Sequence, residues 1–239
     1  LLLAQEQLSE YIGSYQNKLA VLRSDFNFQK PYPAELNDWL SLAQQKNLKI
    51  QQARLQQKYS EDQRRVEKAA LYPQIDAVAS YGYTKQTPET LISTDGKFDQ
   101  VGVEMNWNLF NGGRTRTSIK KATVEASKAQ AQLDAAIRRA NVDVKSAFMQ
   151  VDTDQAKLEA RKAAMDSSSL VSQASKASYN EGLKSMVDVL LAQRNAFSAK
   201  QDYLNAQYDY LLNVLRLKAA VGQLGEKDLV ELNSWLTYQ

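Results

Sequence analysis

The chain has 239 residues, of which 24% are charged, and a formal net charge of +3 that is too small to indicate nucleic-acid binding. Mean hydropathy is −0.50, and no run of the sequence approaches the roughly 20 apolar residues of a membrane-spanning helix. Cysteine and histidine are both absent, which removes disulfides, thiolate metal sites and the commonest general base. We therefore expect no enzyme, no cofactor, no metal site and no nucleic-acid partner.

The first third of the chain predicts two helices with a break between them. Apolar residues at helical spacing predict a helix over Leu1–Arg23, and no initiator Met precedes it. We expect that processing or truncation removed an earlier segment. Pro31 and Pro33 break this pattern, and Pro33 suits the first turn of a second helix, predicted over Ala34–Leu71. Pro73 ends that helix.

The next two segments, Gln74–Lys85 and Gln100–Phe110, alternate between apolar and polar residues, which is typical of β-strands. A loop is predicted between them over Thr87–Lys97, with Asp95 and Gly96 as turn signals. Each strand has about the 9–11 residues that cross a bilayer with tilt. The predicted membrane-facing residues lie on the apolar side of both strands: Ile75, Ala77, Ala79, Tyr81, Tyr83, Val101, Val103, Met105, Trp107 and Leu109.

Alternation also fits the half-buried hairpin of a soluble protein. In that case Asp76 and Glu104, on the polar face, would meet bulk solvent instead of a water-filled lumen. A two-stranded hairpin is only marginally stable alone in water, however, and the sequence offers its apolar face no partner. We therefore expect the strands to pair with other copies or with a missing part of the protein, in a closed barrel that leaves no edge.

The longest uninterrupted segment has neither proline nor glycine between Gly113 and Gly182. As one α-helix it would be on the order of 100 Å long. A tight turn at Gly182 would send a second helix back to Gly222, and a short final helix is predicted over Glu226–Leu236. An alanine-rich stripe at steps of three and four predicts close, coiled-coil-like packing of the long helix. Its members are Ile119, Ala122, Ala126, Ala129, Leu133, Ala136, Ala140, Val144, Ala147 and Val151.

The order of these elements resembles that of the TolC family of outer-membrane efflux duct proteins. Five motifs in this order carry the resemblance: Leu71–Ile75 at the helix-to-strand junction, Trp107–Gly113 at the strand exit, Tyr179–Leu190 at the predicted hairpin tip, Ala206–Leu212 in the return helix and Ala220–Leu224 at its close. They match the second of the two structural repeats of a family protomer. The resemblance implies a mainly α fold with a β-hairpin. Very long α-helical hairpins would form an α-barrel, and the strands would contribute to the transmembrane β-barrel of a trimer.

The resemblance also divides the chain. Residues 1–33 would end the preceding repeat and make an equatorial connection, 34–73 would be a long helix, and 74–110 the outer-membrane β-hairpin. Residues 111–222 would be the long periplasmic helical hairpin, and 223–239 an equatorial C-terminal segment. The implied localisation is the outer membrane, extending into the periplasm.

The implied function is that of a channel, a passive exit duct for efflux or protein secretion. Its partners would be its own copies or the missing first repeat, a periplasmic adaptor and an inner-membrane pump. A coiled-coil scaffold or stalk without a pore is the alternative. The two differ at the predicted strands, because a scaffold needs no strands of bilayer length.

The resemblance gives the hairpin tip specific roles. Asp188 matches a carboxylate that lines the narrow periplasmic end of the duct, and Leu191 stands where the family often has a second acid. We expect a pore constriction with one charged ring and an apolar contribution from Leu191. From the residues alone, Asp188 is more simply an acidic charge near a helix N-terminus. Tyr179 and Lys184 match positions that link neighbouring hairpins, although lysine lacks the planar fork of arginine. The predicted gate and adaptor contact comprises Tyr179, Glu181, Gly182 and Lys184.

Overall fold

The computed structural model of the chain describes residues 2–14, 20–23, 31–86 and 94–237. Within these ranges the chain forms six α-helices and two antiparallel sheets of two strands each. They belong to two compact units, one made of Gln51–Ala136 and the other of Leu1–Ile50 together with Ile137–Gln239. None of the helices in the described ranges combines the length and the apolar character that a membrane span requires.

The first helix, α1, spans Leu2–Ile12 and is shorter than the predicted Leu1–Arg23. Gly13 follows it with φ +73°, and its N–H donates to the Ser9 carbonyl at 2.7 Å. Glycine adopts this left-handed conformation at little cost, so it ends the helix. Residues 15–19 of the predicted helix lie outside the described residues, and Val21–Leu22 form an extended strand, β1.

The single helix predicted over Ala34–Leu71 is two helices, α2 over Leu36–Lys46 and α3 over Leu48–Ala69. Asn47 separates them with an extended backbone, ψ 121°. No proline or glycine marks this position. The prediction of one helix was wrong because the break depends on hydrogen bonds that the Asn47 side chain makes.

The Asn47 side chain makes three such bonds. Its Oδ1 accepts from the backbone N–H groups of Lys49 at 2.9 Å and Ile50 at 3.1 Å, which caps the start of α3. Its Nδ2 donates to the carbonyl of Ala220 at 2.6 Å, far along the sequence. One asparagine therefore both starts α3 and ties the chain at α2 to the last long helix.

The two strands of the hairpin are β2, Gln74–Gln86, and β3, Thr94–Asn106. The predicted second strand, Gln100–Phe110, was wrong at both ends. Gln74 lies opposite Asn106, and the preceding Pro73 has no N–H with which to continue the ladder. Trp107, Leu109 and Phe110 therefore lie beyond the strand.

The hairpin ladder is also longer at its other end than predicted. Lys85 pairs with Asp95 and Thr84 with Gly96, so the two predicted turn residues lie in the strand. The predicted loop therefore cannot begin at Thr87 and run to Lys97. Residues 87–93 lie outside the described residues.

The long helical hairpin is confirmed. Helix α4 spans Arg114–Asn180, 67 residues, and α5 returns over Met186–Val221, 36 residues. The ten stripe positions of α4 are all buried or half-buried. Val144 and Val151 belong to one buried cluster with residues of α5 and α2, namely Tyr210, Leu217, Val221, Trp39 and Ala43.

This cluster is anchored by one tryptophan. Trp39 is fully buried, and its Nε1–H donates to the carbonyl of Pro33 at 2.7 Å, so the ring buries its area without losing its hydrogen bond. Burial also raises the pKa of the Tyr210 phenol. The cluster fixes α2 against the α4–α5 hairpin.

The chain turns again after α5. Gly222 has φ +83°, and the N–H groups of Gly222 and Gln223 donate back to Ala219 at 3.0 Å and Lys218 at 2.9 Å. This pair of bonds closes the helix with a left-handed glycine. The short helix α6 follows over Glu226–Ser234.

Helix α6 is tied to α5 by an ion pair. Asp228 accepts from Lys218 Nζ at 2.5 Å and from the Gly225 N–H at 2.9 Å. The hydrogen bond from Lys218, above all, lowers the pKa of Asp228. The predicted final helix, Glu226–Leu236, is two residues too long, because Leu236–Thr237 form strand β4 and pair with β1.

Gly222→Ala should test the contact between the end of α5 and α2. A Cβ there would lie 2.4 Å from the carbonyl oxygen of Lys46, in addition to the strain of a positive φ. The positive φ alone should cost about 1–2 kcal/mol of unfolding free energy, and the clash should add to that.

The matched control is Gly182→Ala. Gly182 also ends a long helix at positive φ, +73°, but a Cβ there would meet nothing within 4 Å. Chemical unfolding followed by circular dichroism compares the two variants. Equal losses of stability would contradict the close approach of α2 to Gly222.

Candidate functional site

The tip of the α4–α5 hairpin is a tight, hydrogen-bonded turn. The N–H of Gly182 donates to the Tyr179 carbonyl at 2.9 Å, and the N–H of Leu183 donates to the Ser178 carbonyl at 2.8 Å. This is the same arrangement of a left-handed glycine that ends α5. The sequence prediction of a turn at Gly182 is therefore confirmed.

The return helix starts with a reciprocal cap made by Ser185 and Asp188. Ser185 Oγ accepts from the Asp188 N–H at 3.3 Å. In return, Asp188 Oδ2 accepts from the Ser185 N–H at 3.1 Å and from its hydroxyl at 2.7 Å. This capping box satisfies backbone donors that would otherwise be left free at the helix start.

The cap affects the charge of Asp188. The hydrogen bond from the Ser185 hydroxyl lowers the pKa of Asp188 most, followed by the bond from the Ser185 N–H, and the positive charge of Lys184 lowers it further. The carboxyl group is exposed. Asp188 therefore stays ionised to a lower pH than an ordinary aspartate.

Asp188 and Leu191 lie on the same exposed side of α5, one turn apart. Val189 and Ala192 lie on the buried side, because they are rotated from the exposed pair by the helical repeat. The arrangement brings together the two residues predicted at the constriction. Both side chains are exposed, Leu191 to 47%.

Lys184 contacts its own hairpin. Its Nζ donates to Ser175 Oγ on α4 at 3.1 Å, and Ser175 is only 2% exposed. Tyr179 and Glu181 remain exposed at the end of α4. The predicted link from Tyr179 and Lys184 to a neighbouring hairpin stays a prediction.

The β-hairpin has a face that is apolar from Ile75 to Ala79 and carries charged residues further on, where Asp99 lies opposite Tyr81 and Lys97 opposite Tyr83. Facing pairs across the ladder share a side of the sheet, and they include Ala77 with Val103 and Ala79 with Val101. Val103 is 76% exposed and Val101 is 88% exposed. The predicted membrane-facing residues that lie within β2 and β3 therefore share one side, and the part of the chain that the structure describes leaves them exposed, whereas Trp107 and Leu109 lie beyond the strand.

The opposite face of the hairpin is polar. Asp76 lies directly opposite Glu104, and like charges in this position repel one another. Such a pair is tolerable in water and costly in lipid. On the same face the Phe98 ring covers Gly82, where it would clash with an added Cβ.

A buried carboxylate, Asp154, was missed by the sequence analysis. It continues the apolar stripe of α4, three residues after Val151, and is 3% exposed. Its Oδ1 accepts from Gln150 Nε2 at 2.9 Å, and its Oδ2 accepts from Asn213 Nδ2, on α5, at 2.5 Å. An acid on an otherwise apolar stripe was the signal that could have found it.

Within the described residues, no cluster of acidic side chains is arranged to hold a metal ion. The features that stand out are the exposed tip carboxylate, the long helical hairpin and the two-faced strand hairpin.

Comparison with known proteins shows which family the chain belongs to. A family model described as "Outer membrane efflux protein" matches residues 39–223. The chain is 32% identical over 244 residues to "Outer membrane protein TolC" of Escherichia coli (strain K12), an alignment that covers 98% of this chain and 49% of that protein. It is 28% identical over 211 residues to "Alkaline protease secretion protein AprF" of Pseudomonas aeruginosa, with 88% of this chain and 44% of that protein covered.

A solved structure shares the fold. The Campylobacter jejuni CmeC outer membrane channel matches with a TM-score of 0.74 at 15% identity, over 92% of this chain and 53% of that one. The chain therefore spans about half the length of the relatives it matches.

The chain belongs to the outer membrane efflux protein family. The predicted family is confirmed, as is the mainly α fold class with very long helical hairpins and a small sheet. The family consists of outer-membrane channel proteins and not of enzymes, which agrees with the predicted localisation and class.

Proposed function

We propose that this chain forms part of an outer-membrane exit duct for efflux or protein secretion. The observation that carries this proposal is the exposed face of alternate apolar residues from Ile75 to Tyr83 on β2, which is about the length of a membrane-spanning strand and pairs with Val101–Met105 of β3, immediately before the α4–α5 hairpin in the sequence. Of the relatives, TolC is described as an outer membrane protein and AprF as an alkaline protease secretion protein. A scaffold without a pore would have no use for such a face.

The strands would close a barrel with additional strands. Among the described residues β2 and β3 pair only with each other, so each has an unpaired edge there, and two strands alone are marginally stable. We propose that the other strands come from further copies of the chain in a trimer and from a first repeat. The longer relatives have enough additional residues for such a repeat. The apolar face would meet lipid, and the Asp76–Glu104 face would meet the aqueous lumen.

The tip would be the contact with a periplasmic adaptor, through which the duct would meet an inner-membrane pump. Apolar side chains are exposed there, including Leu183, Val187 and Leu190, next to Glu181. An exposed group of this kind fits a protein contact better than free solvent. Asp188 would line the aperture beside this contact, with Leu191 one turn further.

Val103→Arg should disturb membrane assembly. Its side chain lies on the apolar face, and an arginine near the bilayer midplane costs roughly 2–4 kcal/mol. Gly102→Arg is the control, because Gly102 lies on the polar face and has open space around it. Trimer yield from outer membranes after mild detergent extraction measures the effect, and equal yields for the two variants would refute the orientation.

Cysteines at the tip should cross-link to the adaptor in cells. Glu181→Cys places the thiol on the exposed turn between α4 and α5. Asn111→Cys, just before α4, is the control at the other end of that helix. Cross-linked adducts identified by mass spectrometry should appear with the first variant, and adducts found only with the second would place docking at the wrong end.

Asp188→Ala should reduce cation selectivity of the channel. A fixed carboxylate in a narrow aqueous mouth attracts cations and repels anions, so its removal should move the reversal potential in a salt gradient toward zero. Glu181→Ala removes an equal charge from the same tip as a control. Planar-bilayer recordings compare the two, and an unchanged reversal potential in Asp188→Ala would show that Asp188 faces away from the pore.

A further inference from the structure

The hydrogen bonds of Ser185 single it out at the tip. Its hydroxyl both accepts from the Asp188 N–H and donates to Asp188 Oδ2, while its own N–H donates to the same carboxylate oxygen. An exposed aspartate on a helix ordinarily samples several rotamers. Here two donors from one neighbour converge on one oxygen and select one orientation.

We propose that Ser185 is a positioning residue that holds the Asp188 carboxylate in a fixed orientation at the aperture, so that cation selectivity persists in acid. This rests on the proposed function of Asp188. The hydroxyl acts through Asp188 and needs no contact with the transported ion. A pore carboxylate without this restraint would be mobile and would protonate at higher pH.

The surrounding charges do not supply this restraint. Lys176 lies on α4, Glu181 directly follows that helix, and both are exposed; Lys184 lies in the turn and its Nζ donates to Ser175. Lys184 favours the charged form of Asp188, but less than the two hydrogen bonds from Ser185 do. The hydroxyl and N–H of Ser185 are therefore the main cause of the lowered pKa.

The direction of the pH effect follows from these bonds. They stabilise the carboxylate and not the carboxylic acid, so they lower the pKa of Asp188. Without the hydroxyl the pKa should rise toward its ordinary value. The wild type and a variant without the hydroxyl should then have the same cation selectivity at neutral pH, where Asp188 is ionised in both. On acidification, the variant should lose its selectivity at a higher pH than the wild type does.

The test is the reversal potential of the assembled full-length channel in a potassium chloride gradient, recorded from pH 7 to pH 3. Ser185→Ala and Ser185→Gly both remove the hydroxyl, and glycine is the better tolerated of the two at a helix start. Ser185→Thr keeps the hydroxyl. We expect an upward shift of the pH midpoint in the first two variants and a wild-type midpoint in the third.

Asp228→Ala controls for the loss of a helix cap elsewhere, because Asp228 accepts from the Gly225 N–H at the start of α6. It should leave the midpoint unchanged. An unshifted midpoint in Ser185→Ala and Ser185→Gly would overturn the proposal, as would an equal shift in Asp228→Ala.

A double-mutant cycle on unfolding separates this proposal from the function of Asp188. If Ser185 and Asp188 act as one unit, the double variant should lose less stability than the sum of the single variants. Additive losses would overturn the positioning role. If Asp188→Ala leaves selectivity unchanged at pH 7 while the cycle shows coupling, the aperture assignment fails and the acid-selectivity proposal falls with it.

Discussion

The hairpin depends on a narrow strip of contact between two very long helices. A helix in a protein draws most of its stability from packing one face against its neighbours, and α4 has 67 residues to stabilise in this way. The buried positions of α5 include alanines, such as Ala192 and Ala206, so helix axes can approach closely but each such position buries little area. Larger anchors are concentrated where α2 joins the hairpin, at Trp39, Tyr210 and Leu217.

Polar contacts then decide how the two helices are aligned. A contact made of similar small residues does not fix the register of α4 against α5, because a shift along the helix axis places one small side chain where another was. Asp154 does fix this register, because its buried carboxylate accepts hydrogen bonds from Asn213 on α5 and from Gln150 on its own helix, and a shift would break the bond to Asn213. Losing a partner would leave a buried charge undersatisfied, which is more costly than losing an exposed pair. The half-exposed pairs Lys157–Asp209 and Arg161–Asp202 reinforce the alignment weakly.

Sequence periodicity predicted the long helices and the strands because each keeps one spacing of apolar residues along its length. The α4 stripe and the absence of proline and glycine up to Gly182 were sufficient to define the hairpin. The breaks that it missed depend on single side-chain contacts: Asn47 interrupts a helical pattern only because it caps α3 and reaches Ala220. The end of β3 likewise depends on which residue it faces, since Asn106 lies opposite the residue after Pro73.

Asp188 at the hairpin tip has two roles to consider, one as part of a helix cap and one as a proposed pore carboxylate. The spacing of Ser185 and Asp188 is that of a capping box, so a structural role needs no pore. The resemblance to efflux ducts assigns the same residue to an aperture. These roles are compatible, because the cap uses Oδ2 of a carboxylate that remains exposed and charged. A carboxylate fixed by the helix that carries it is better preorganised for acting on passing ions than one on a free side chain. The cap would thus serve both the fold and the pore.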